Sequence, residues 1–114
     1  MQELKVILTW ESIYDIADIT DYIEAAFGIE KADRFQHEMR EQLKCLEMVG
    51  GGFGRTNIRY RNYYIYKKPF PPSVIFYIIK GPEKEIHVLR VLREERHWEK
   101  MLTEQEAYTY PADI

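Results

Sequence analysis

The 114-residue sequence holds one cysteine, Cys45, so no internal disulfide can form and the fold must be held by packing, as suits a reducing compartment. Three scattered histidines, His37, His87 and His97, share no ligand spacing with that thiol, and no metal or other cofactor is expected. No long apolar run is present. The longest, Val74 to Ile79, is far shorter than the roughly 18 residues of a membrane span. The opening Met1-Gln2-Glu3-Leu4-Lys5 lacks the basic-then-apolar character of a secretory signal, so a cytoplasmic protein with no membrane partner is expected. Gly50-Gly51-Gly52-Phe53-Gly54 lacks the Lys-Ser/Thr ending of a phosphate-binding loop and reads as a flexible connection.

Hydrophobic residues at 46% and charged residues at 31% place the chain among folded soluble proteins rather than disordered ones. Its length fits one domain over residues 1–114, with 103–114 as a candidate flexible tail. The net charge of −3 disfavours indiscriminate nucleic-acid binding. That average conceals an asymmetry. Up to Gly54 there are 5 Lys and Arg against 11 Asp and Glu, giving −6; from Arg55 onward there are 11 against 8, giving +3. Arg55, Arg59, Arg61, Lys67 and Lys68 follow one another without a carboxylate and are interleaved with Tyr60, Tyr63, Tyr64 and Tyr66. Such a stretch can form a platform for phosphates and stacked bases, or the solvated edge of an antiparallel sheet. Composition favours the second.

The hydrophobic pattern predicts an ordered series of elements. Lys5 to Leu8 suits a short strand, and Thr9 offers an oxygen to cap a following helix. Ile13, Ile16, Ile19, Tyr22, Ile23, Ala26 and Phe27 recur at helical spacing, opposite an acidic face expected to be solvated. Gly28 stops this helix, and Ala32, Phe35, Met39, Leu43, Leu46 and Val49 mark a second. The pair should form an antiparallel hairpin with one apolar stripe. Arg59 to Tyr66, Ser73 to Ile79 and Glu85 to Leu92 are expected as antiparallel strands, broken by Pro69, Pro71, Pro72 and Gly81-Pro82. Val74 to Ile79 is apolar on both faces and should be central. The predicted class is α+β, with order β-α-α-β-β-β.

Strict alternation along the last strand groups His87, Leu89, Val91 and Arg93 on one face and Ile86, Val88, Arg90 and Leu92 on the other. With Ile86 and Val88 against the helices, Arg93 would join His87 on an open face. Trp10 and Cys45 are expected in or beside the core, His37 on the surface, and Trp98 at the core edge.

The proline-led run Pro72-Ser73-Val74-Ile75-Phe76-Tyr77, followed by Ile86-His87-Val88-Leu89-Arg90-Val91-Leu92-Arg93-Glu94-Glu95-Arg96-His97-Trp98, resembles the RelE/ParE toxins of bacterial type II toxin-antitoxin modules. The likeness runs from about Leu4 to Leu102. It implies a helical hairpin on a twisted antiparallel sheet and a cognate antitoxin that silences the protein, as in plasmid-stabilisation systems. RelE-like members are metal-independent ribonucleases that cut messenger RNA on the ribosome; ParE-like members inhibit DNA gyrase. A ribonuclease would need cations on the phosphate and groups that exchange protons. Under that reading Arg93, Arg96 and His97 would be catalytic, with His87 or a tyrosine as further proton carriers. In this chain Glu94 and Glu95 interrupt the cations after the last strand, and Ser73-Val74-Ile75 offers no arginine. The sequence therefore leans toward the ParE-like branch, which is no enzyme, with Arg59, Arg61, Lys67, Arg93, Arg96 and Trp98 as candidate target-binding residues. An inactive toxin-fold protein that only binds a partner is the third reading.

Overall fold

The computed structural model describes residues 3–49, 52–94 and 96–111. The chain runs β1 (Lys5–Leu8), α1 (Trp10–Phe27), α2 (Ile29–Val49), β2 (Gly54–Tyr60), β3 (Tyr63–Phe70), β4 (Ser73–Lys80), β5 (Glu85–Arg93) and α3 (Trp98–Glu104). The strands form one sheet in the order β1-β5-β4-β3-β2. β1 lies parallel to β5, and the other pairs are antiparallel. The α+β class, the helical hairpin and the central position of the apolar β4 agree with the sequence pattern.

The expected order lacked two elements. Arg59 to Tyr66 is not one strand: the chain reverses at Arg61-Asn62, where Arg61 takes φ +56°, and Tyr60 pairs back onto Tyr63. A strand pattern with no Asn-Gly or Asp-Gly dipeptide gave no sign of this turn. The Gly50-Gly51 part of the glycine-rich connection lies outside the described residues.

α3 is the second addition, and it changes the sheet's surroundings. One face is covered by the hairpin, where Ile19, Phe35, Met39 and Leu46 meet Ile75, Tyr77, Ile86, Val88 and Val91. The other face was expected to be open. It instead carries a second core, in which Leu102 of α3 and Tyr108 close over Ile65, Val74, Phe76, Ile78, Leu89 and Leu92. Trp98 packs on Phe76 at this edge, with ring centroids 5.2 Å apart.

Residues 105–111 form a strap rather than a loose tail. The Trp10 amide donates to the Thr109 carbonyl at 2.8 Å, and the Thr109 amide and hydroxyl both donate to the Glu11 carboxylate at 2.9 Å. Residues 112–114 lie outside the described residues. Trp10, expected in the core, is 37% exposed and stacks on Tyr14 under this strap, and Cys45 is exposed on α2. Neither side chain sits on the stripe that meets the sheet. His37 is exposed, as expected.

The crossing from β1 to α1 depends on Thr9, which is fully buried. Its hydroxyl oxygen accepts from the Ser12 amide at 3.0 Å, capping α1, and lies 2.9 Å from the Val88 and Leu89 carbonyls. β1 ends at Leu8, opposite Val88; the Thr9 amide still reaches the Val88 carbonyl at 3.2 Å, but the Leu89 carbonyl lies beyond the last paired residue of β1. The cap thus also serves the edge of β5. Gly28, at φ +99°, separates α1 from α2 in a backbone region that side chains rarely adopt.

Thr9→Ala is expected to lower the unfolding free energy by about 2 kcal/mol, through lost capping and a β5 carbonyl left without its hydroxyl donor. Thr9→Ser should retain most of it, as measured by urea denaturation. The strap should also respond to pH. Burial pushes the Glu11 carboxyl upward, but the bonds from Thr109, together with Glu11's own amide and the charge of Arg90, hold the group below its ordinary value. A depressed folded-state value means the stabilisation is present above the unfolded carboxyl's value, about 4.3, and is lost as pH falls through the lower folded one. Hydrogen-exchange protection of the Trp10 amide should accordingly fall between about pH 5 and pH 3. Glu11→Gln should abolish that pH dependence.

Candidate functional site

Beyond Leu8 the edge of β5 also leaves amide donors to be satisfied, and a carboxylate of α1 meets one. Asp15 accepts from the Val91 amide at 3.0 Å and from the Arg90 guanidinium at 2.7 Å and 2.9 Å. Arg90 also reaches Gln105 of the strap at 3.4 Å. The side chains of Asp15 and Arg90 are only 11% and 16% exposed. Burial pushes the Asp15 carboxyl above its ordinary value, whereas its hydrogen bonds hold the Arg90 guanidinium more firmly protonated. Asp15 belongs to the acidic face of α1 that the sequence pattern predicts to be solvated, and its buried bidentate pair corrects that expectation. Ser12, Asp15, Ile19 and Tyr22 lie at spacings of three and four, and that shared face was the available signal.

The pair sits where β5 departs from regular pairing. Phe76 lies opposite Arg90 and the next residue, Tyr77, opposite Val88, so β5 carries one extra residue there. A β-bulge of this kind shifts the alternation of every later side chain. Ile86, Val88 and Val91 face the hairpin, while Leu89 and Leu92 face the second core. Arg93 is thereby turned toward α1, its guanidinium carbon 4.2 Å from the centroid of the Tyr22 ring. Arg93 and His87 therefore occupy opposite faces, contrary to the strict-alternation expectation.

Arg93 and Arg96 line a groove of about 190 Å³ between α1 and the end of β5, together with Asp15, Asp18, Tyr22 and Arg90. The Glu94 amide donates to the Pro72 carbonyl, and the Arg96 and Trp98 amides bond back to Arg93 and Arg96, giving a tight path into α3. His97 is exposed at the start of that helix. Glu95 lies outside the described residues.

The other predicted residues stand elsewhere. Arg59 and Arg55 lie over the Tyr64 ring at 4.9 Å and 4.2 Å, on the outer part of the sheet. Lys67 lies 5.3 Å from the Trp98 ring, and both line a separate groove with Asn57 and Glu99. Arg61 is at the β2–β3 turn, beside Tyr60. The structure thus brings Arg93 together with Arg96, and Lys67 with Trp98, but gathers no single cationic platform. Lys68 is buried, its ammonium hydrogen-bonded to Gln42 of α2.

Of the proton carriers considered for RNA cleavage, His87 is engaged within the fold, whereas His97 stands exposed. His87 Nδ1 lies 2.7 Å from the Tyr110 hydroxyl and Nε2 lies 3.0 Å from Glu85. Arg93 is six residues along β5, roughly 20 Å away at about 3.3 Å per residue. Burial raises the Tyr77 and Tyr108 phenols well above their ordinary value, so neither exchanges protons near neutrality.

Residues 6–98 match the family model described as the ParE toxin of the parDE type II toxin-antitoxin system. The chain belongs to the ParE toxin family. A chain from a solved chromosomal ParDE toxin-antitoxin system of P. aeruginosa superposes with a TM-score of 0.68 and 25% identity, covering 80% of this chain and 96% of that one. No curated protein matches the sequence. Membership assigns this ParE chain the toxin role in a two-protein module whose other component is a cognate antitoxin. It also selects the ParE branch that the interrupted cations after β5 favoured. Among the described residues no group of His, Cys, Asp and Glu could hold a metal ion, and no helix is long and apolar enough to cross a membrane.

Removing the Asp15 carboxylate strands a largely buried guanidinium and an edge amide. Asp15→Ala is expected to cost about 3–5 kcal/mol of stability in chemical denaturation. Asp15→Asn, which keeps an acceptor for the Val91 amide, should cost less.

Proposed function

We propose that the protein is a cytoplasmic inhibitor of DNA gyrase, acting by protein contact through the Arg93–Arg96 groove and silenced when its antitoxin is bound. The observation that carries this reading is the mixed charge of the groove. Its cations share the walls with Asp15 and Asp18, and Glu94 adjoins them in the chain. Carboxylates so placed repel an RNA phosphate, whereas alternating signs fix register against a protein surface of complementary charge. Tyr22, 47% exposed beneath the Arg93 guanidinium, adds an aromatic contact of the sort that anchors protein interfaces. The roles of Arg59, Arg61, Lys67 and Trp98 in target binding are secondary in this reading, because they lie outside the groove.

Purified protein should inhibit supercoiling by gyrase and leave messenger RNA on ribosomes uncut. Arg93→Ala with Arg96→Ala should raise the concentration for half-inhibition by at least about tenfold, the scale of one interfacial hot spot. Supercoiling untouched at excess protein, together with cleaved messenger, would overturn the proposal. Retained potency in the double variant would remove the groove from it.

A further inference from the structure

The basic and aromatic stretch identified in the sequence is not accounted for by the Arg93–Arg96 groove. Part of it is assembled into a separate cleft on the other face of the sheet. β2 and β3 bring Tyr60 and Tyr63 side by side as the pair that closes their turn. Ile78 of β4 forms the floor, and the strap supplies Tyr108 and Tyr110, leaving a recess of about 160 Å³. Tyr60 meets Tyr108 edge to face, with centroids 4.8 Å apart, and Tyr110 is held by its contact with His87.

Two cations stand at the mouth. The Arg61 guanidinium lies 5.2 Å from the Tyr60 ring centroid, and the Lys80 ammonium 5.5 Å from that of Tyr63. Each cation covers a tyrosine, and neither has an ion pair among the described residues. Glu85 is a nearby acid, opposite Lys80 in the β4–β5 register, and its carboxylate is hydrogen-bonded to His87. Arg61 is held in the left-handed backbone region at the tip of the turn, which fixes the base of its side chain.

A recess this small falls below the volume that encloses a whole drug-sized ligand, so it admits one planar ring and leaves a charged substituent outside. Ring faces and an apolar floor suit a base. The two cations at the rim suit its phosphate, and the guanidinium can grip two phosphate oxygens at once. We infer that the cleft formed by Tyr60, Tyr63, Tyr108 and Tyr110 binds a nucleoside phosphate unit, with the base on the tyrosines and the phosphate between Arg61 and Lys80. The unit comes either from a free mononucleotide or from a single strand laid across the cleft. This site lies at the turn end of the sheet, away from Arg93 and Arg96, and does not rest on the gyrase reading.

Titrating the full-length protein with AMP, UMP and hexathymidylate, followed by tyrosine fluorescence and amide chemical shifts, tests it. Saturable binding is expected at about millimolar concentration or tighter, with shifts centred on residues 60–63, 78–80 and 108–110. Arg61→Asn with Lys80→Gln should weaken it at least about fivefold, since asparagine tolerates the left-handed turn. Arg55→Gln with Arg59→Gln should leave it unchanged. A preference for hexathymidylate, with a slope of log affinity against log salt near −1.4 from two contacts at about −0.7 each, identifies the strand as the source. Equal affinity for UMP identifies the free nucleotide. The inference is overturned by absence of saturation, by equal binding of inorganic phosphate, or by binding that survives the Arg61 and Lys80 changes. Gyrase inhibition should be unaltered in the Lys80→Gln protein whichever outcome is found.

Discussion

One carboxylate organises the end of the sheet. β1 is only four residues long, so β5 loses its neighbour at Val88 and would otherwise continue as a bare edge. Helix α1 takes over that edge without being a strand, using the Thr9 amide and hydroxyl for the Val88 and Leu89 carbonyls and Asp15 for the Val91 amide. Arg90 compensates the charge that this burial requires. Free edges are normally shielded against stray pairing, and here the shielding element is a helix start with a polar side chain at each decisive position. Because the same contact secures the extra residue in β5, the direction of every later side chain depends on it. Arg93 faces α1 for that reason.

Much of the architecture was legible in the sequence because it rests on periodicity. The apolar spacing of α1 and α2, the break at Gly28 and the doubly apolar β4 each report a local pattern that burial reads directly. The features that escaped are those decided between distant segments. A bulge leaves no mark in alternation until partner strands are known, and the acid that fixes it lies 76 positions away from Val91. The Arg61-Asn62 reversal carries none of the dipeptides that announce tight turns. α3 offers only Trp98, Met101 and Leu102 as apolar contacts, too few for a seven-residue helix to stand out.

The candidate site was legible in its residue types rather than in its grouping. Reading arginines along the chain suggests one cationic surface; folding divides them among the α1 groove, the outer strands and a turn. Tyrosine is the common element in this division, since Arg55, Arg59, Arg61, Lys80 and Arg93 each lie over a tyrosine ring. Such stacking covers apolar ring surface while leaving the charge at the solvent boundary, so the aromatic content orders the cations without neutralising them.

The strap has a consequence for the order in which the protein is made. All five strands are translated before Trp98, yet Leu102 and Tyr108 are needed to cover Ile65, Phe76, Ile78 and Leu89. A nascent chain can therefore assemble the hairpin side of its sheet while the opposite side stays wet. The contacts of Thr109 with Trp10 and Glu11 then join a segment made after the last strand to one made before the hairpin, giving the molecule a closure that follows completion of the sheet.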